Sequence, residues 1–289
     1  MKAFIYPNLG KKHCKEYTEE ACAVLRRCGI KFSVSHKHED VFSDVEGMYF
    51  GRTEDLISSA DVIIAIGGDG TILKCAERAS RLGTPILGIN CGRLGFMASL
   101  EHSQLALLER LAEGKYSISR RMMLSASVNG GEEIYSALND VVVSRADDCK
   151  IADFEVVKNS QLISSLRANG VIFSTATGAT AYSMSAGGPI IEPEMECIEF
   201  TQICPHSLFA RSMIFSAVSE ITVRCHTADG AHVRLNVDGN DVYTLSDGDE
   251  INIRRASSGL DIIDICGGSF FNSVNTKLMR PLKDSEGDI

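Results

Sequence analysis

Two rhythms of apolar residues alternate through the first part of the chain. Ala3–Tyr6, Ile30–Ser35, Asp61–Ile66 (DVIIAI) and Pro85–Ile89 (PILGI) are short runs of strand length. Between them, Ala21, Val24, Leu25 and Cys28 within Tyr17–Cys28, the segment Thr71–Arg81, and Leu105, Leu108, Leu111 and Ala112 repeat at helical spacing. DVIIAI is apolar without alternation, as a strand covered on both faces must be. Strands that alternate with helices predict a parallel sheet with helices on its faces.

After about Arg120 the helical rhythm stops. Leu124–Val128, Val141–Ser144, Phe154–Lys158, Val171–Thr175, Ile221–Cys225, Val233–Val237 and Glu250–Arg254 read as strands. Turn signals separate several of them: Asn129-Gly130-Gly131, Asp238-Gly239-Asn240 and Ser246-Asp247-Gly248-Asp249. One helix is predicted inside this region, Thr180–Ala186, capped by Thr180 and stopped by Gly187, Gly188 and Pro189. The last stretch, Ser269–Leu282, reads as helical again. The predicted fold class is therefore an α/β, Rossmann-like N-terminal domain with a parallel sheet (1–120, completed by 269–289) and an all-β, sandwich-type C-terminal domain (121–268). The length of 289 residues fits two domains at about 150 residues each.

Charge narrows the partners. Lys plus Arg number 29 and Asp plus Glu 38, a net charge of −9. Nucleic acids and anionic membranes need a surplus of cations, so neither is an expected partner, whereas a small phosphorylated ligand needs only a local site. The ten cysteines form no C-x-x-C pair and several lie in apolar runs, as reduced buried thiols do. Met1–Lys12 holds no signal-peptide core and no segment approaches the length of a spanning helix, so a soluble cytoplasmic protein is expected.

The chemistry gathers in three segments. DVIIAIGGDGT (Asp61–Thr71) places Gly67, Gly68 and Gly70 after a buried strand, where backbone amides and a helix N-terminus favour a phosphate. Asp69 would repel that phosphate unless it takes a proton or holds a metal; the plainer reading makes it the N-cap of the next helix. The third glycine of a dinucleotide fingerprint is replaced by Leu73, and no G-K-[ST], H-R-D or D-F-G occurs. GINCGRLGFMA (Gly88–Ala98) adds a second glycine loop with Arg93. STATGATAYSMSAGGP (Ser174–Pro189) is rich in hydroxyls and small residues, against which a flat ligand can lie, with Tyr182 free to stack. Asn139-Asp140 offers donor and acceptors for a base edge and ribose. His36 and His38, beside Glu39 and Asp40, could ligate a metal but more often are solvated at this spacing.

Over nearly its whole length the chain resembles the NAD kinase family. The resemblance rests on GGDGT (Gly67–Thr71), GINCGRLGF (Gly88–Phe96), LNDVVVSR (Leu138–Arg145), TATGATAYSMSAGGP (Thr175–Pro189), ICPHSLFAR (Ile203–Arg211) and NVDGND (Asn236–Asp241). It implies an NAD kinase-like fold and transfer of phosphate from ATP, with a divalent metal, usually Mg²⁺, to the 2′-hydroxyl of the adenosine ribose of NAD, giving NADP. By the same resemblance Asp69 is the base that accepts the hydroxyl proton, and Gly68, Gly70 and Thr71 line the phosphates. Asn139 and Asp140 hold the adenosine half, while Thr177, Thr180, Ala181, Tyr182, Ser183, Met184 and Ser185 line the dinucleotide pocket. Arg167, Asn169 and Asn240 fall at further NAD contacts, with Lys74 and Lys150 as weaker candidates; no residue is assigned to a protein-held metal. Homodimers or homotetramers through the β domain are implied as well.

The chain departs from the family pattern at Asn169, where an Asp is usual, at Ala176 and Ser212, where prolines are usual, at Ala179, which lacks a hydroxyl, and at Asp140, which is one methylene shorter than the commoner Glu. Two alternatives follow. A lipid or sugar kinase could share GGDGT, though a lipid would want an apolar entry rather than Thr180–Ser185. A dinucleotide sensor could keep the pocket without turnover. Under the NAD kinase reading two polyphosphates meet in an acidic protein at the expected junction of the domains. Their neutralisation must then be local: the Gly67–Thr71 amides, Arg93, Arg167 and the metal on ATP.

Overall fold

The computed structural model describes residues 1–92, 95–98, 100–146, 152–207, 209–226, 232–267 and 270–276. The chain divides into two units, Met1–Ser119 with Asp261–Ile289, and Arg120–Leu260.

The first unit is built on β1 (Lys2–Pro7), β2 (Lys31–Ser35), β3 (Met48–Gly51), β4 (Val62–Gly67) and β5 (Ile86–Asn90), which lie in the order β3-β2-β1-β4-β5. All four pairings are parallel. Leu260–Asp264 adds a further parallel strand beside β5, with Ser117–Arg121 beyond it. Every residue of β4 and β5 is buried, which explains their unbroken apolar sequence. The helices Cys14–Arg27 and Asp69–Leu82 present the predicted apolar stripes, burying Ala21, Cys22 and Leu25 in one case and Ile72, Cys75, Ala76 and Ala79 in the other. The segment 102–112 is mainly a tight 3₁₀ turn (His102–Leu108) running into one α turn, Glu109–Ala112. Strand order reverses direction between β1 and β4, so the loops after these two strands flank the crevice where open parallel sheets bind ligands.

The second unit is a sandwich of two six-stranded antiparallel sheets. One runs in the order 213–216, 197–203, 170–174, 140–145, 233–237, 240–245; the other 161–168, 152–158, 221–226, 250–255, 124–128, 135–137. Alternate residues Val141, Val143, Val171, Phe173, Ile198 and Phe200 of the first meet Leu124, Phe154, Val156, Val223 and Ile251 of the second in one core. The opposite face of the first sheet, carrying Val142, Ile172 and Ile203, is covered by the segment around Ala186. Strands absent from the expectation include Gln161–Ala168 and Asn240–Leu245, whose patterns are largely exposed and polar, and Cys197–Ile203, where Glu199 and Thr201 interrupt the apolar run. Of the predicted Ser269–Leu282 helix, Phe270–Val274 is helical and the rest lies outside the described residues.

Candidate active site

Asp69 opens the helix Asp69–Leu82 rather than capping it; the N-cap is Gly68 and no side chain caps the turn. The amides of Thr71 and Ile72 turn back to the Gly68 carbonyl (2.8 and 3.3 Å), and those of Asp69 and Gly70 have no partner within the helix. The Asp69 carboxylate instead swings to the second glycine loop. Its Oδ2 accepts the Phe96 amide at 2.7 Å, and its Oδ1 accepts those of Met97 and Ala98 at 3.1 and 3.0 Å. Gly95 is what allows this approach: a Cβ there would stand 1.9 Å from Oδ1 and 2.6 Å from Cγ. The two glycine loops are thus one device that fixes a carboxylate at the carboxyl end of β4. Beside it, Asn90 is buried and its Nδ2 has no partner among the described residues, while its Oδ1 lies 3.2 Å from where a Gly68 Cβ would be. A buried, unspent donor next to glycine amides is a fitting contact for a phosphate oxygen.

In the second unit the sequence-distant Asp238 organises the Asn139-Asp140 pair. Its carboxylate accepts the amides of Leu138 (2.8 Å), Asn139 (2.8 Å) and Asp140 (3.0 Å). Thr175 stitches the small-residue segment to the same place, donating from Oγ1 to the Leu138 carbonyl at 2.6 Å and accepting the Gly178 amide at 3.0 Å. Gly178 passes so close that a Cβ would be 2.1 Å from the Asn139 carbonyl oxygen. Two buried polar atoms of these segments, Asn139 Oδ1 and Thr177 Oγ1, have no partner among the described residues. Asp140 is only 5% exposed. Burial and then the nearby charge of Asp238 push its carboxyl up to about 7. Burial also raises Asp238, but its three amide donors draw it back toward the charged form.

Thr180 closes a 3₁₀ turn (Gly178–Thr180) and its Oγ1 donates to the Thr177 carbonyl, while Ala181 sits at the N-cap of the helix Tyr182–Ser185. The expected Thr180 cap is therefore absent. Tyr182 and Ser185 are exposed and Met184 half-buried, but Ser183 faces inward with no exposure. Its hydroxyl donates to Glu199 Oε1 at 2.7 Å. Glu199, fully buried in the strand Cys197–Ile203, also accepts Ser174 on Oε2 (2.9 Å) and Thr201 on Oε1 (3.0 Å), and Thr201 in turn bonds Ser212 at 2.8 Å. Ser212, one of the departures noted above, is thus part of a hydroxyl network that pins the small-residue helix to the sheet. Ala176 and Ala179 are buried with Ile191 and Cys197 in a small apolar cluster.

Two family models match the chain: the ATP-NAD kinase N-terminal domain over residues 5–116 and the ATP-NAD kinase C-terminal domain over residues 138–265. The NAD kinase of Natranaerobius thermophilus is 36% identical over 279 residues, covering 95% of this chain and 96% of the relative. That of Moorella thermoacetica is 39% identical over 274 residues, covering 94% and 87%. The chain belongs to the NAD kinase family. Its reaction is the transfer of a phosphate to NAD, forming NADP. The fold is that of yeast NADH kinase complexed with NADH (TM-score 0.83, 22% identity, 100% of this chain and 89% of that one). It is likewise that of the Archaeoglobus fulgidus NAD kinase in complex with ATP (TM-score 0.71, 24% identity, 96% and 98%).

The remaining family positions are not all drawn together. Asn240 lies next to the Asp238 turn, its Nδ2 donating to the Val237 and Asp238 carbonyls at 3.4 Å. Asn169 sits at the far end of the paired strands, where Gly170 faces Ser144 while Asp140 faces Ser174. Four residues of strand separate these ends, roughly 14 Å. Arg167 is on the other sheet, its guanidinium held by Asp153 through two bonds of 2.8 and 2.9 Å. Lys74 is exposed on the helix that Asp69 opens. Lys150 and Arg93 lie outside the described residues. Asp238, Asn90 and Glu199 were not foreseen as site-building residues, whereas Gly95 and Thr175 were singled out only as a loop glycine that exposes backbone and as one hydroxyl among several. NVDGND marked Asp238 only as a turn, and nothing local in the sequence pairs it with Asn139.

Among the described residues no three His, Cys, Asp or Glu side chains gather as a metal site, and amides take three of the roughly four acceptor positions of the Asp69 carboxylate. The described residues do not fit a protein-held divalent ion. Among the same residues no helix is long and apolar enough to cross a membrane.

Proposed function

We propose that the phosphate donor is ATP carrying its own Mg²⁺, that the acceptor is the 2′-hydroxyl of the adenosine ribose of NAD, and that Asp69 is the base. The observation that carries this reading is the Asp69 carboxylate fixed by three amides at the carboxyl end of β4, beside glycine amides and an unspent Asn90 donor. The 2′-hydroxyl gives its proton to Asp69 as its oxygen bonds to the γ-phosphorus; the bond to the β–γ bridging oxygen breaks and ADP leaves. Gly68, Gly70 and Thr71 receive the phosphates. A base held this firmly costs no reorganisation at the moment of transfer. The α/β unit carries this chemistry and the β-rich unit holds NAD.

In the β-rich unit, Asn139 and Asp140 take the adenosine half. Asn139 Oδ1 is an acceptor awaiting a donor, such as an exocyclic amine, and Thr177 Oγ1 can meet a ribose hydroxyl. Thr180, Ala181, Tyr182, Met184 and Ser185 form the accessible edge of the pocket, with Ser183 holding that edge in place from below. Asn240, Arg167, Asn169, Lys74 and Lys150 complete the proposed contacts. Assembly as a homodimer or homotetramer through the β-rich unit and a cytoplasmic location belong to the same proposal.

The test is NADP formation by the purified chain from NAD and ATP, with and without a chelator. Turnover should require the metal and vanish on chelation. NAD binding by calorimetry with no NADP formed under saturating ATP and Mg²⁺ would replace the enzyme with a dinucleotide sensor. Phosphorylation of diacylglycerol in preference to NAD would point to a lipid kinase.

A further inference from the structure

The three amides that hold Asp69 all come from the stretch 96–98, which follows β5 and lies 27 to 29 residues beyond the carboxylate. The placement of Asp69 is therefore only as firm as that stretch. One end of it is fixed by the sheet. Met97 and Ala98 are buried, and a Cβ on Gly88 of β5 would stand 2.8 Å from the Ala98 Cα and 3.0 Å from its Cβ. The other end, Phe96, is half-buried, yet its amide makes the shortest of the three bonds, 2.7 Å to Oδ2.

Phe96 is met by a helix from the far end of the chain. Leu260–Asp264 runs beside β5 and parallel to it, so the segments that follow these two strands emerge at the same edge of the sheet. Asp264 Oδ1 accepts the amides of Cys266 and Gly267 at 2.8 and 3.0 Å, closing a tight turn, and the helix Phe270–Val274 comes next. Val274 is buried and anchors that helix. Its first residue, Phe270, sets its ring 6.2 Å from that of Phe96 at a tilt of 49°, and Phe271 meets Phe270 edge-on at 5.5 Å and 68°. Both separations fall in the range at which aromatic rings attract, about 4.5–7 Å. A ring so held restricts the torsions of its own residue, and the Phe96 N–H is held with them.

We propose that Phe270 is a positioning residue for the Asp69 carboxylate: it acts through the Phe96 ring and keeps the Phe96 amide aimed at Oδ2. Its part in turnover rests on the reading of Asp69 as the base. The C-terminal helix thereby takes a share in the reaction that the glycine loops alone do not supply. A reacting group misplaced by about 1 Å loses on the order of 10²-fold in rate, so the packing of two rings is enough to be read in turnover.

Phe270→Ala tests it, with Phe270→Tyr as the conservative variant and Val24→Ala, buried in the helix Cys14–Arg27, as the control for lost stability alone. Phe270→Leu, which keeps apolar bulk without the ring, serves the same comparisons should Phe270→Ala not fold. Phe270→Ala should lower kcat by about tenfold to a hundredfold, with KM for NAD and for ATP within about twofold of the parent chain. Phe270→Tyr should restore kcat, and Val24→Ala should lower the melting temperature without lowering kcat. The decisive comparison is made in Asp69→Asn, which has no base left to place: there Phe270→Ala should cost no more than about twofold. A full further loss in that background overturns the proposal, as does an unchanged kcat in Phe270→Ala alone or an effect carried wholly by KM. Hydrogen exchange reads the same contact without turnover. The Phe96, Met97 and Ala98 amides should exchange at least about tenfold faster in Phe270→Ala, and unchanged protection there overturns the proposal. Near-normal turnover of Asp69→Asn removes the base reading instead, and faster exchange at 96–98 in Phe270→Ala then still upholds Phe270 as the residue that places the carboxylate.

Discussion

Asp69→Asn separates two jobs that one carboxylate performs. The carboxylate accepts three backbone amides, one on Oδ2 at 2.7 Å and two on Oδ1 at 3.1 and 3.0 Å. An asparagine keeps a single acceptor oxygen. Its best orientation leaves that oxygen to Met97 and Ala98 and turns the NH₂ toward the Phe96 N–H, so a donor meets a donor. Leaving one such part-buried group unsatisfied costs about 1–3 kcal/mol. For a unit of this size that lowers the melting temperature by roughly 3 to 10 °C. Turnover should fall independently by about 10²- to 10⁴-fold, the usual reach of a general base. Thermal denaturation followed by circular dichroism reads the first effect, and NADP formation under saturating substrates reads the second. A melting temperature within about 1 °C of the parent chain would refute the claim that the 96–98 amides hold this side chain. Near-normal kcat would refute its role as base.

Other substitutions probe the second unit. Gly178→Ala places a methyl 2.1 Å from the Asn139 carbonyl oxygen, a backbone atom that cannot step aside, so KM for NAD should rise at least tenfold with a smaller change in KM for ATP. Glu199→Ala leaves the buried Ser174, Ser183 and Thr201 hydroxyls without their acceptor; a stability loss of about 2–4 kcal/mol in denaturant titration is expected, with KM for NAD raised. Asp140 has its folded carboxyl pushed up to about 7 from an ordinary value of 3.8, so the native state binds the extra proton. Its contribution to stability is complete below about pH 4 and is lost as pH climbs through 7, on the order of 4 kcal/mol in all. Asp140→Asn should flatten that decline in urea titrations between pH 4 and 8; an unchanged slope would show that Asp140 is not the titrating group.

Much of the fold was legible because its signals are local. DVIIAI and PILGI announce buried parallel strands, and the stripes at Ala21–Leu25 and Ile72–Ala79 announce covering helices, since burial on one face imposes a period that sequence displays directly. The strands Gln161–Ala168 and Asn240–Leu245 escaped notice because both are largely exposed, and backbone pairing alone leaves no apolar period to read. Asp69 was visible as chemistry, and the plainer reading of it as an N-cap does not hold. Propensity offers an Asp before a helix the role of N-cap, whereas the amides it accepts lie 27 to 29 residues away.

The sequence by itself determined the family, the two-part architecture and most of the residues proposed to touch nucleotide, because glycine loops and small-residue runs are contiguous and their chemistry is carried by residue type. Tertiary structure decided how those residues are held. Asp238 reaches Leu138 across 100 positions of chain, Gly95 makes room for Asp69, and Glu199 gathers hydroxyls from Ser174, Ser183 and Thr201. It also brought Phe270 to Phe96, because the strand Leu260–Asp264 returns the chain beside β5 and parallel to it. Hydrogen bonds and ring contacts depend on which atoms meet in space, and sequence fixes that only through the folding of the whole chain.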